Sequence, residues 1–219
     1  MVRVNAEQFK QLLSDIAANV EKEKDYLSQL DRAVGDGDHG VTMSIGWQAI
    51  KKRLAHELKD EQDCGKICQD TAMTFLNAVG SSVGPLYATA LLKGASLFSG
   101  KTSLTKEDII QFLIAAGKGI QERGKAQVGD KTMVDTWIPA IEALEEESRR
   151  GKTLVECLEA AVRSGEEGMK STVEMVSKKG RSSRLGERSK GHQDPGATSS
   201  YIILKTFLTC VKNFEATKS

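Results

Sequence analysis

The stretch "DRAVGDGDHG", residues 31 to 40, places Asp31, Asp36 and Asp38 among three glycines. Left bare and close together, three carboxylates repel one another, so a cation is their natural occupant. Carboxylate oxygens with no soft ligand nearby suit Mg²⁺ or a similarly hard ion, while Gly35 and Gly37 permit turns that a Cβ would obstruct. An EF-hand loop counted from Asp36 fails, because Val41 stands where the glycine is needed and Trp47 where the terminal glutamate is needed. The competing reading is an Asp/Gly turn that caps the next helix.

Mg²⁺ held by a few carboxylates keeps its other positions for water and phosphate oxygens. Three further stretches offer phosphate or nucleotide contacts. "GSSVGP", from Gly80, is a small-residue turn into a helix, with backbone N–H groups and the hydroxyls of Ser81 and Ser82 available to an anion. It lacks the lysine of a Walker A loop, and a plain turn accounts for it equally well. "DPGATSS", from Asp194, opens the last helix behind a long loop that contains Arg181, Arg184 and Arg188, which suits either a lid over phosphates or a solvated surface. In "GDKTMVDTW", Met133 offers a soft surface to a flat base or simply a core side chain, and Thr132 with Asp135 resembles a capping box.

The elements that must position these residues are helical almost throughout. Phe9, Leu12, Leu13, Ile16, Val20, Leu27 and Leu30 recur at helical spacing and predict one long amphipathic first helix, started by Asn5 with Gln8. Similar stripes predict helices at about 41–57, 65–79, 86–98, 106–122, 133–149, 154–176 and 197–213, with Thr105/Asp108 and Thr153/Glu156 as further starts. No alternation of β-branched residues suggests a sheet. Eight helices with short connections form an all-α, antiparallel up-down bundle or barrel, a single domain over 1–219. In that topology the connections after helices 1, 3, 5 and 7 share one end. These are the four glycine-rich loops just described, so a site assembles at one mouth.

Lysine plus arginine (31) nearly balance aspartate plus glutamate (30), giving a net charge of +1, so composition supplies no electrostatic reason for nucleic acid or a membrane as partner. No segment has the apolar length of a membrane span and the N-terminus lacks a secretion-signal core, which gives the expectation of a cytoplasmic protein. Cys64 and Cys68 lie one helical turn apart, Cys157 and Cys210 stand alone, and no histidine completes a zinc site; all four read as reduced, packed thiols.

"LDRAVGDGDHG", "GSSVGPLY", "GDKTMVDTW" and "KGRSSRLGERSKGHQDPGATSS", in this order, resemble the nucleotide-binding L subunits of bacterial dihydroxyacetone kinase. The resemblance spans nearly the whole chain. It implies an eight-helix barrel with ADP (or ATP) and two Mg²⁺ at one end. By motif, Asp31, Asp36 and Asp38 become the Mg²⁺ ligands. His39, Gly40, Val41, Thr42, Ser81, Ser82, Gly124, Met133, Arg181, Asp194, Pro195 and Gly196 become the nucleotide shell, with Arg181 also the catalytic charge neutraliser. Fused, ATP-dependent relatives commonly carry cysteine where this chain has His39, which is similar to the separate subunits linked to the phosphotransferase system. That version implies retained ADP, a phosphohistidine donor protein (the M subunit) and a separate K subunit holding dihydroxyacetone, with a homodimer as a further partner state. The alternatives are an ATP-exchanging kinase subunit for another small ketose such as erythrulose, and a non-catalytic nucleotide-binding regulator.

Overall fold

The computed structural model describes residues 3–217; the outermost positions of the expected 1–219 domain, Met1, Val2, Lys218 and Ser219, lie outside the described residues. In chain order the elements are β1 (Arg3–Asn5), α1 (Ala6–Lys22), α2 (Lys24–Val34), α3 (His39–Ala55), α4 (Cys64–Ala78), α5 (Val83–Leu97), β2 (Ser103–Thr105), α6 (Lys106–Gly124), α7 (Val134–Arg149), α8 (Leu154–Ser171) and α9 (Pro195–Ala216). Short 3₁₀ turns at Thr172–Glu174 and Arg181–Ser189 lie between α8 and α9.

The three expected capping boxes start α1, α6 and α8. Asn5 accepts from the Gln8 N–H at 2.8 Å while the Gln8 side chain accepts from the Asn5 N–H at 3.1 Å; Thr105/Asp108 and Thr153/Glu156 repeat the pattern. Each apolar stripe then faces inward. Phe98 packs between Phe9 and Phe112, and Trp47, Phe75 and Tyr87 meet edge to face, so one continuous core runs through the molecule. All four cysteines are buried free thiols, as expected; burial pushes Cys64 up to about 11 and Cys210 up to about 12.

Helices α1, α3, α4, α5, α6, α7, α8 and α9 each pack on the next, and α9 returns to α1, which closes a ring of eight. The ninth helix, α2, is the second half of the expected first helix. The chain breaks at Glu23 (φ −94°, ψ 6°), where neither Gly nor Pro gives a sequence signal. The backbone bonds run on through it, Glu23 N–H to Asn19 O at 3.0 Å and Leu27 N–H to Glu23 O at 2.9 Å, so the break changes the helix direction without interrupting its ladder there. Beyond the break, α2 packs on α3 and α9 and carries Asp31 to the mouth of the ring.

Two other boundaries differ from expectation. β1 and β2 pair antiparallel, with Val4 opposite Leu104, each 1% exposed; three-residue strands are too short to show alternation. Helix α8 ends at Ser171, not near 176: Thr172–Glu174 tightens into a 3₁₀ turn whose Thr172 carbonyl accepts both the Met175 N–H at 3.2 Å and the Lys131 ammonium at 2.7 Å.

Candidate functional site

The loops after α2, α4, α6 and α8 converge on a cavity of about 770 Å³. Asp31 sits in the last turn of α2, and its carboxylate accepts the His39 backbone N–H at 3.0 Å, which ties the end of α2 to the start of α3. Gly35 is needed beside it: a Cβ there would lie 2.5 Å from Asp31 Oδ1. Gly37 adopts φ +80°, the left-handed region that glycine enters without steric cost. This turn brings oxygens of Asp31, Asp36 and Asp38 within 4.8 Å of one another.

From the 3₁₀ turn of the α8–α9 loop, the Arg181 guanidinium forms ion pairs with Asp36 and, at 3.6 Å, with Asp38. A cluster of hard oxygen donors that draws in a cation from a distant loop fits Mg²⁺ well, since nothing soft lies among the donors. Asp36 and Asp38 are both exposed, so a hydrated ion can reach them.

Of the residues expected around a nucleotide, His39, Thr42, Ser81, Ser82, Gly124, Met133, Arg181, Asp194, Pro195 and Gly196 line this cavity together with the three aspartates. Gly40 and Val41 do not. Gly40 lies where α3 crosses α2, with space for no Cβ (Lys24 O would be 1.9 Å away), and Val41 is 48% exposed on the outer face. Arg184 and Arg188 are exposed beyond the cavity.

The DAK2 domain model matches residues 33–209, which is most of the chain and takes in the site loops apart from Asp31 and Arg32. The chain belongs to the DAK2 domain family. It is 40% identical over 190 residues to the "PEP-dependent dihydroxyacetone kinase, ADP-binding subunit DhaL" of Escherichia coli, covering 87% of this chain and 90% of that protein. It is 37% identical over 204 residues to a Listeria innocua protein, "PEP-dependent dihydroxyacetone kinase 2, ADP-binding subunit DhaL", covering 93% and 94%. "L-erythrulose 1-kinase" of Mycolicibacterium smegmatis is 30% identical, over 91% of this chain but only 33% of that protein. Among solved structures, the C. freundii dihydroxyacetone kinase in complex with AMP-PNP and Mg²⁺ shares the fold, with a TM-score of 0.71 at 21% identity, covering 91% of this chain and 33% of that one.

In this DAK2 chain two titratable groups form a buried floor beneath the loops. His39 is held against Ser199 of α9, Nε2 to Oγ at 2.9 Å, and burial pulls its pKa down to about 4 against the opposing charge of Asp31. It is therefore neutral at pH 7 and joins α3 to α9. Asp194 caps α9, its carboxylate accepting the Ala197 N–H at 2.8 Å. Burial raises Asp194 to about 7, the Ala197 N–H and Lys131 working against that shift and Asp135 with it. The expected Thr132/Asp135 pair is present in altered form: Asp135 accepts the Thr132 and Gly129 N–H groups at 2.8 and 2.6 Å, while Thr132 Oγ1 accepts from Val134 at 3.1 Å.

Sequence reasoning missed Arg123, Lys179 and Lys131, which add positive charge to the lining, and Leu86 and Ile120, which give it an apolar wall. Arg123 adjoins Gly124 in a loop already singled out, so it was within reach. Leu86 and Ile120 read only as core-stripe residues, because a helix end that faces a cavity looks in sequence like one that faces another helix.

Proposed function

We propose that this chain is the nucleotide-binding phosphoryl-transfer subunit of a dihydroxyacetone kinase. The observation that carries the reading is one cavity with two characters. Its lining holds the cluster of Asp31, Asp36, Asp38 and Arg181 together with the apolar side chains of Leu86, Ile120 and Met133, which suit a flat base. The DhaL relatives, named as ADP-binding subunits, support it.

Phosphoryl transfer requires positioning and charge neutralisation more than covalent help. Mg²⁺, two ions in this reading, would supply divalent charge that offsets the negative charge of the phosphates. Asp31, Asp36 and Asp38 would hold it, with Asp31 kept in place by the His39 N–H. Ser81 and Ser82, in the turn before α5, and the start of α9 at Pro195–Gly196 present polar groups towards phosphate. Arg181 exchanges its carboxylate partners for phosphate oxygens and neutralises charge that develops during transfer. No general base is assigned to this chain; activation of the substrate hydroxyl belongs to a K subunit holding dihydroxyacetone. A phosphohistidine protein of the phosphotransferase system, the M subunit, rephosphorylates ADP in place.

The similarity to an erythrulose kinase favours a second reading, ATP exchange on behalf of another ketose. One sequence of experiments separates the two. Mass spectrometry of denatured, purified protein identifies retained nucleotide, and transfer assays then offer ATP or a phosphohistidine protein as donor, with K-type subunits and each ketose. Retained ADP and transfer only from phosphohistidine are expected. Loss of nucleotide on gel filtration with ATP-dependent turnover would establish the second reading, and bound nucleotide without transfer to any acceptor would leave a regulator.

A further inference from the structure

Lys131 is buried, 1% exposed, yet forms no ion pair among the described residues. Its ammonium instead meets four backbone carbonyls: Thr172 at 2.7 Å, Met175 at 3.2 Å, Ser189 at 2.7 Å and His192 at 2.5 Å. An ammonium has three protons, so this cage saturates it. Its backbone holds φ +61°, a left-handed conformation uncommon for any residue with a Cβ, which persists only when surrounding contacts over-determine it.

The four carbonyls come from the two ends of the α8–α9 loop: Thr172 and Met175 lead into it, Ser189 and His192 lead out. Further hydrogen bonds hold the same neck and tie it to the α6–α7 loop. Gly191 N–H donates to Val173 O at 2.7 Å, Lys178 N–H to Asp130 O at 3.1 Å, and Asp194 N–H to Thr172 Oγ1 at 2.9 Å. Between the pinned ends runs the segment that carries Arg181 to Asp36 and Asp38. On its other side, Lys131 is two residues from Met133, in the loop that Asp135 holds.

We infer that Lys131 is the positioning residue of the site, a peg that gathers both ends of the 172–192 segment and so sets where Arg181 lies over the aspartates and where the loop bearing Met133 sits. Its contribution to nucleotide affinity rests on the function proposed above; its hold on the loop does not. Burial lowers the Lys131 pKa, and Asp194 and Asp135 oppose that shift, so the peg is balanced by carboxylates it does not touch.

The test uses two full-length variants. Lys131→Met keeps the length and Cβ but removes the charge; Lys131→Gly suits φ +61° and leaves a cage open to a small cation. In nucleotide-free protein, both variants should keep the parent's circular dichroism while trypsin cleaves within 178–190 at least tenfold faster. Mg²⁺–ADP should bind at least tenfold more weakly in calorimetry. Added ammonium or methylammonium should restore protection to Lys131→Gly but not to Lys131→Met, and tetramethylammonium, which cannot donate, should restore neither. Parent-like cleavage in both variants overturns the inference. So does equal rescue by tetramethylammonium, and so does loss of the helical fold in both, which would make Lys131 a core residue and not a peg for the loop. If the parent itself fails to bind Mg²⁺–ADP, the proposed function falls, and cleavage and rescue still decide the role of Lys131.

Discussion

Asp31, Asp36 and Asp38 are not equivalent. Asp36 and Asp38 are exposed and pair with Arg181, whereas Asp31 accepts the His39 N–H. Asp36→Asn and Asp38→Asn should therefore leave thermal stability almost unchanged while Mg²⁺–ADP affinity, read by calorimetry, falls by at least the 10–100-fold typical of losing even an outer-shell partner. Asp31→Asn should lose affinity similarly and in addition about 1 kcal/mol of stability, because a charge-assisted bond becomes a neutral one. The double variant Asp36→Asn/Asp38→Asn should add little to either single loss. Full binding by all three single variants would reduce "DRAVGDGDHG" to a turn. A second residue-level test follows from His39. Its folded pKa is about 4, below the unfolded value, so it contributes stability above pH 6.5 that is lost as pH falls through 4. Asp194, raised to about 7, acts in the opposite direction: its folded state binds a proton more readily, so its contribution declines as pH rises towards 7. The two slopes oppose each other in the parent. His39→Gln removes one of them, so its melting temperature should fall less than the parent's between pH 6.5 and 4.5; parallel curves would contradict the assignment. Residue type and order made the aspartates legible in sequence. The burial that shifts His39 and Asp194 was not legible, since it depends on α9 closing the ring.

At the scale of elements, helix starts were legible and one helix break was not. Asn5/Gln8, Thr105/Asp108 and Thr153/Glu156 are local chemistry, complete within four residues, and all three form. The break at Glu23 has no Gly or Pro to mark it, and the turn that follows α8 is held by a lysine 41 residues away in sequence. The α2–α3 crossing matters most for the site, because it aims Asp31. A Cβ on Gly40 would lie 1.9 Å from Lys24 O and 2.5 Å from Ser28 Oγ, so Gly40→Ala must push α2 off α3. Overpacking of this kind costs about 2 kcal/mol, or roughly 4 to 8 °C in a chain of this size. Differential scanning calorimetry should show that drop, and Mg²⁺–ADP affinity should fall with it because Asp31 moves. A stable Gly40→Ala variant with full affinity would show that the crossing does not position the aspartate.

At the scale of the whole molecule, the alternation of short and glycine-rich connections, together with antiparallel order, is enough to place four loops at one mouth, and the cavity lies there. The split of the first helix leaves this parity intact, since α2 continues the path of α1 to the same end. The ring is closed by α9 against α1, and the charge at its mouth is the feature most in need of a ligand: three carboxylates within 4.8 Å of one another, paired in part with the Arg181 guanidinium. Metal and nucleotide are expected to bind there as one unit. The direct measurement is thermal unfolding of nucleotide-free protein in EDTA, in Mg²⁺ alone, in ADP alone and in both. At a free concentration of 100 times Kd, linkage adds about 2.7 kcal/mol, which for a chain of this length raises the midpoint by roughly 5 to 11 °C. That rise is predicted only when Mg²⁺ and ADP are present together; equal midpoints in all four conditions would contradict the account.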